Sequence, residues 1–311
     1  MYLLIFYLII VLITCIILNY YIYNKKHISY ENYTNKNKLC CIYAYYEKDD
    51  LYRSNFIYFL NNAILDNVDY YFVINGEYTV KIQDAPNIRV IERDNIGYDF
   101  GAYSSVIKTL YQEYDYYIFL NATVKGPYLN KNANDNWVDL FLKLFKTNVK
   151  LVGTSICFSD SLDIKNTFHK NSIYYVQTQF FIIKSDFFNY LKNVENFFNE
   201  EELNKITDMH YVIINKEIKL SYLCYKFGGK INCYLEKYKD LDHEKINYDI
   251  NNSSFYGDAY WNNAYFCNTI MPEDVVFYKN KRFIIDTQNE KLKNILHSHN
   301  TDIIQQKCNN L

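Results

Sequence analysis

Two short segments concentrate the side chains whose types and spacing could do chemistry. The first, Glu92-Arg93-Asp94-Asn95-Ile96-Gly97-Tyr98-Asp99-Phe100-Gly101-Ala102-Tyr103, places two of only 8 glycines four positions apart. Glycine carries no Cβ, so such spacing lets backbone approach a ligand closely; Asp99 between the pair reads either as a helix cap or as a ligand-facing carboxylate. The pattern is not the G-x-G-x-x-G dinucleotide fingerprint. The second segment, Asn121-Ala122-Thr123-Val124-Lys125-Gly126-Pro127, follows a very apolar run with short polar side chains and turns away at Gly-Pro. Arg93 and Lys125 are cations within these segments that either contact a phosphate or are solvated. Later, GDAYW sets Asp258 beside Tyr260 and Trp261. That combination suits a sugar, whose CH groups stack on rings while its hydroxyls bond the acid.

The elements that must position these residues follow from the apolar pattern. Short runs at 39–45, 70–74, 88–91 and 116–120 are rich in β-branched and aromatic residues, as buried strands are. Helical spacing at 54–65 and 101–114 alternates with them. This order predicts βαβ units, hence an α/β fold with a mostly parallel sheet flanked by helices. Ligands of such sheets bind beyond the carboxyl ends of the strands, where both segments lie. A helix at 137–147, a strand at 150–154, a long β run at 173–183, a helix after Ser185 and another over 211–227 are expected next. Beyond Asp240 the chain is polar and weakly periodic, and no internal repeat is present.

Composition narrows the function class. With 33 basic and 35 acidic residues the formal charge is -2, so there is no basic excess to favour nucleic acid. The 35 tyrosines beside 8 glycines and 3 prolines suggest a coding bias rather than a binding surface. The 8 cysteines include no C-x-x-C pair, and several sit inside apolar runs, which predicts buried free thiols and argues against zinc. Sequons occur at Asn32, Asn121, Asn251 and Asn252.

The stretches RDNIGYDFGAYSSVIKTL and YDYYIFLNATVKGPYL resemble a GT-A-type glycosyltransferase-like family related to the rhamnan-synthesis group. Its members carry N-x-G-x-D-x-G-A-Y and then a strand ending in N-[ST]-[ST]-x-x-G-P, from which this chain departs at Ala122. KLVGTSICF, VQTQFFIIKSDFF, EIKLSYLCYKFGGKINC and GDAYWNNAYF leading to DVVFYKNKR agree in order, so the resemblance spans about residues 39–282. It implies a GT-A-like fold and transfer of a hexosyl or deoxyhexosyl group from a nucleotide sugar to a glycan, lipid or protein acceptor, with inversion.

On that reading the donor site comprises Arg93, Asn95, Gly97, Asp99, Gly101, Asn121, Thr123 and Lys125. Asn121-Ala122-Thr123 occupies the place of the D-x-D motif, whose carboxylates hold Mn or Mg on the diphosphate. Both carboxylates are replaced, leaving two ways to neutralise the leaving group: a metal on Asp99, or Arg93 and Lys125 without metal. Glu217 resembles the late-helix base of the family-2 glycosyltransferases, with Asp208 and His210 as the fallback pair. Gln177 and Gln179, alternating along the run that resembles the acceptor-side segment, join Asp258 and Trp261 as acceptor residues; the two glutamines either bond sugar hydroxyls or satisfy neighbouring groups. A different class remains beside this one: a catalytically degenerate carbohydrate-binding or scaffold protein.

Residues 2–23, from Tyr2 to Tyr23, contain no charged side chain. As a helix rising about 1.5 Å per residue they span about 33 Å, enough to cross a hydrocarbon core of about 30 Å. The sequence therefore predicts a retained single-pass anchor (1–23), a polar linker (24–38), one catalytic domain (39–285) and a polar tail (286–311). Lys25 and Lys26 favour a cytoplasmic domain by the positive-inside bias, whereas anchored glycosyltransferases usually face the lumen. Both orientations stay open.

Overall fold

A computed structural model describes residues 37–129, 135–280 and 307–309. The apolar segment 2–23 and the sequon at Asn32 lie outside the described residues. Among those described, no helix is long and apolar enough to cross a membrane.

The fold is mixed α/β around a seven-stranded sheet ordered β3-β2-β1-β4-β8-β5-β9. Strands β1 (Leu39–Tyr45), β2 (Val68–Asn75), β3 (Ile88–Arg93) and β4 (Tyr116–Asn121) are mutually parallel, as the βαβ reading requires. Strand β5 (Val149–Gly153) runs parallel to β9 (Lys230–Cys233), while β8 (Phe180–Lys184) lies antiparallel between β4 and β5. A two-stranded sheet pairs β6 (Ile156–Ser159) with β7 (Ile173–Val176).

Central β1 is buried at every position because both faces are covered. Side chains alternate between faces, so Cys40, Ile42 and Ala44 enter one core while Leu39, Cys41, Tyr43 and Tyr45 enter the other. The second core receives α1 (Asp50–Asn62) and α3 (Trp137–Leu142), where Tyr43 packs against Phe56 and Phe59. The first receives α2 (Tyr98–Ile107), α4 (Leu162–Phe168), α5 (Ser185–Asn193), the single turn α6 (Glu200–Leu203) and α8 (Lys219–Lys226). Residues 100–107 of α2 are all buried, so this helix carries no polar stripe. Asp49 starts α1 by accepting from the Tyr52 amide at 3.0 Å.

Three expectations need correction. The run at 173–183 is not one strand: Gln177, Thr178 and Gln179 interrupt it, with β7 in the small sheet and β8 in the large one. Nor are all cysteines free thiols, since Cys267 and Cys308 form a disulfide, although Cys40, Cys41, Cys157, Cys224 and Cys233 are free and buried. The C-terminal tail, expected to separate from the domain at 286, is tied to it at 307–309 by this bond and by Lys307 donating to the Ser254 carbonyl at 2.7 Å. Asn121 and Asn251 are buried, which leaves no room for a glycan at either.

Candidate active site

The carboxyl end of β4 builds the floor of a cavity of about 680 Å³. Here Asn121 is clamped: its Oδ1 accepts from the Thr123 amide at 3.0 Å and the Thr123 hydroxyl at 2.5 Å. A backbone N–H can only donate, which fixes the amide orientation, so Nδ2 donates to Asp99 Oδ2, 2.5 Å away. Asp99 sits in the first turn of α2. Burial pushes its carboxyl up to about 6, Glu217 adds to the rise, and the Asn121 hydrogen bond and Lys279 oppose it.

Glu217 enters from the opposite wall. It lies in a π-helical turn, Ile213–Ile218, between α7 (Met209–Val212) and α8. Such turns recur at functional sites because the widened spacing re-aims a side chain. The Thr178 hydroxyl donates to Glu217 Oε2 at 2.8 Å. Burial raises the Glu217 pKa, Lys279 and Thr178 pull it down, and Asp258 raises it further. The break between β7 and β8 thus serves the site: it delivers Thr178 to Glu217 and both flanking glutamines to the cavity wall.

Asp258 and Trp261 line the same cavity from the long loop after β9, with Phe255 and Tyr256 beside them. Asp258 is buried, and its Oδ1 accepts from the Tyr260 amide at 3.0 Å. Gln177 Oε1 accepts from the Ser155 hydroxyl at 2.6 Å, and Gln179 Nε2 donates to the same Ser155 oxygen at 3.4 Å. The glutamines are therefore held by Ser155, not by each other. Tyr98, Met209, Val212 and Ile213 form an apolar flank.

Asp99, Asn121, Thr123, Gln177, Gln179, Glu217, Asp258 and Trp261 all come together here, but five candidates do not. Arg93 donates to Asn75 Oδ1 and Asn204 Oδ1, each at 3.1 Å, and is spent tying loops. Asn95 is exposed away from the cavity. Gly97, at φ 73°, and Gly101 do permit close approach, but of protein backbone: a Cβ would meet the Leu203 carbonyl at 2.5 Å and the Ile96 carbonyl at 2.4 Å respectively. Lys125 stands over the Tyr58 ring, 5.1 Å from its centre, in a separate depression with Asp50 and Arg53. The fallback pair is exposed: Asp208 caps α7, and His210 lies 3.2 Å from Asp163.

Lys279 is the residue that sequence reasoning missed. Among the described residues it is the only cation lining the cavity. Its signal lay in the segment DVVFYKNKR, which the resemblance reached without assigning a role.

No family model matches the chain, and no curated protein matches it. Among solved structures, similarity is found to the mannosyltransferase PcManGT of Pyrobaculum calidifontis in complex with GDP-Man and Mn2+: 12% identity, 51% of this chain and 47% of that chain, TM-score 0.33. The apo glycosyltransferase GlyE of Streptococcus pneumoniae TIGR4 is 11% identical over 62% of this chain and 44% of its own, TM-score 0.33. An active-site mutant of LgtC is 11% identical over 55% of this chain and 66% of its own, TM-score 0.31. The chain spans less than half the length of the first two of these structures.

A divalent Mg or Mn ion takes about six oxygen ligands and favours carboxylates. In place of D-x-D the cavity offers two neutral oxygens, Asn121 Oδ1, already engaged by two donors, and the Thr123 hydroxyl. Asp99 is the one carboxylate beside them, and its Oδ2 already accepts from Asn121. Among the described residues no cluster of three or more His, Cys, Asp or Glu side chains is arranged to hold a metal ion. These residues do not fit the metal site that the resemblance implies.

Proposed function

We propose that this protein is a glycosyltransferase that moves a hexosyl or deoxyhexosyl group from a nucleotide sugar to a carbohydrate-bearing acceptor, with inversion. The observation that carries the reading is that Asp99, Asn121 and Thr123, at the strand ends, share one cavity with Glu217, Asp258 and Trp261 from distant parts of the chain. Glu217 removes the proton of the acceptor hydroxyl. The freed oxygen attacks the anomeric carbon opposite the leaving phosphate, and the carbon–oxygen bond to phosphate breaks with its electron pair passing to the nucleoside diphosphate. A buried carboxylate with a raised pKa is a stronger base than an exposed one, provided that it is ionised at the working pH. The acceptor side falls to Asp258 and Trp261, with Gln177 and Gln179 contributing hydrogen bonds. An apolar segment at residues 2–23 supports an acceptor close to a membrane.

Incubation of the intact chain with a panel of nucleotide sugars tests this directly. Slow release of nucleoside diphosphate is expected, and Glu217→Gln should slow it by about 10²-fold or more. The replacement of the D-x-D carboxylates favours a second reading, a carbohydrate-binding protein without catalysis. Glycan binding that depends on Trp261, with no donor hydrolysis and no stabilisation by any nucleotide, would select it.

A further inference from the structure

We propose that Lys279 holds and neutralises the donor's diphosphate without a divalent cation. This rests on the glycosyltransferase reading and deepens it. A diphosphate leaving group needs positive charge where its negative charge develops. The two cations expected to supply it, Arg93 and Lys125, are engaged elsewhere, and the metal-motif positions carry neutral oxygens in place of both carboxylates.

Lys279 answers the need by position. The residue before it, Tyr278, bridges in antiparallel fashion to Lys125, with N···O distances of 2.9 and 2.8 Å. The residue after it, Asn280, exchanges side-chain hydrogen bonds with Asn55 at 2.9 and 3.3 Å. Two residues upstream, Phe277 is fully buried and stacked on Phe180, 4.5 Å between ring centres. The backbone of Lys279 is therefore fixed on both sides, next to the loop that leaves β4. Among the described residues its ammonium makes no ion pair or hydrogen bond, and it lines one cavity with Asp99 and Glu217. A fixed cation facing two carboxylates with no direct partner is arranged for an incoming anion, and ammonium is a phosphate ligand that works as a point charge.

Calorimetric titration of the intact chain with UDP, GDP and dTDP, in EDTA and then in excess MnCl2, decides the matter. For whichever diphosphate binds, affinity in EDTA should lie within about threefold of that in manganese. Lys279→Met should weaken binding by about tenfold or more, and Lys279→Arg by much less. The matched nucleoside monophosphate should show a smaller dependence on Lys279. Binding that manganese strengthens by about tenfold or more, or a Lys279→Met variant equal to the parent, overturns the proposal and leaves the transferase reading standing. Failure of all three diphosphates to bind under either condition overturns both.

Discussion

At the scale of single residues, the cavity holds two acids whose surroundings raise their pKa. Glu217 is lifted mainly by burial and restrained by Lys279 and the Thr178 hydroxyl. In the proposed role of general base it must be ionised, so kcat/KM should rise with pH through a pKa above the ordinary glutamate range. Glu217→Gln should lower kcat by about 10²- to 10⁴-fold, erase that acid limb and leave diphosphate affinity near the parent value. A variant with the parent's pH profile would remove Glu217 from the chemistry. Asp99 makes a stability prediction. Its folded pKa of about 6 lies above the ordinary value of 3.8, so the folded state binds more protons than the unfolded chain between those values. Its contribution is thus most favourable below pH 3.8 and is lost as pH rises through about 6. Every tenfold difference in proton affinity between the folded and unfolded chain corresponds to about 1.4 kcal/mol. Asp99→Asn keeps an acceptor for Asn121 and should gain up to about 3 kcal/mol on the parent between pH 4 and pH 7.5, read from urea unfolding at both pH values. A gain that is equal at the two would place the effect outside Asp99 ionisation.

At the scale of elements, strands β1, β2 and β4 were legible because burial on both sheet faces imposes continuous apolar runs, whereas β3, at the sheet edge and nowhere fully buried, showed only through its β-branched residues. The place of Glu217 in the cavity was legible through its resemblance to a late-helix base, but its π-helical setting was not, since one extra residue in a turn leaves the apolar pattern nearly intact. The run through 173–183 misled because Gln177 and Gln179 keep strand alternation while the chain changes sheets between them. The cation was hidden for a topological reason. Lys125 stands beside the polar loop in sequence, but the bridge from Lys125 to Tyr278 brings Lys279, from far along the chain, to the cavity instead. The glycines were recognised as sites of close approach, with the partner misassigned. Gly101→Ala tests that partner: a Cβ 2.4 Å from the Ile96 carbonyl must displace backbone at the start of α2. Destabilisation of about 1–3 kcal/mol in chemical denaturation is expected. A variant as stable as the parent would return Gly101 to the ligand.

At the scale of the whole molecule, the disulfide between Cys267 and Cys308 is the tie that composition could not foresee, because spacing alone does not pair cysteines. It closes a loop with a sequence separation of 41, which contains Lys279, and in the chain-entropy model it restrains the unfolded state by about 4 kcal/mol. Cys267 also accompanies the loop that carries Asp258 and Trp261: its amide donates to Ser253 Oγ at 2.8 Å, and the Asn251 side chain donates to the Ala264 carbonyl at 2.8 Å. Those hydrogen bonds do not depend on the disulfide. Lys279 has its own restraints in the Tyr278 bridge and the Asn55–Asn280 pair. Reduction, or Cys308→Ser, should therefore lower the unfolding free energy by about 2–4 kcal/mol while changing diphosphate affinity less than about threefold. Denaturation and calorimetry on the same sample separate the two effects. Equal loss in both would mean that the tie, rather than the bridge from Lys125, holds Lys279 in place. Disulfides persist in oxidising compartments, so alkylation before and after reduction also reads the compartment the protein occupies: a protected Cys267 and Cys308 pair indicates an oxidising one, and two alkylated thiols indicate a reducing one.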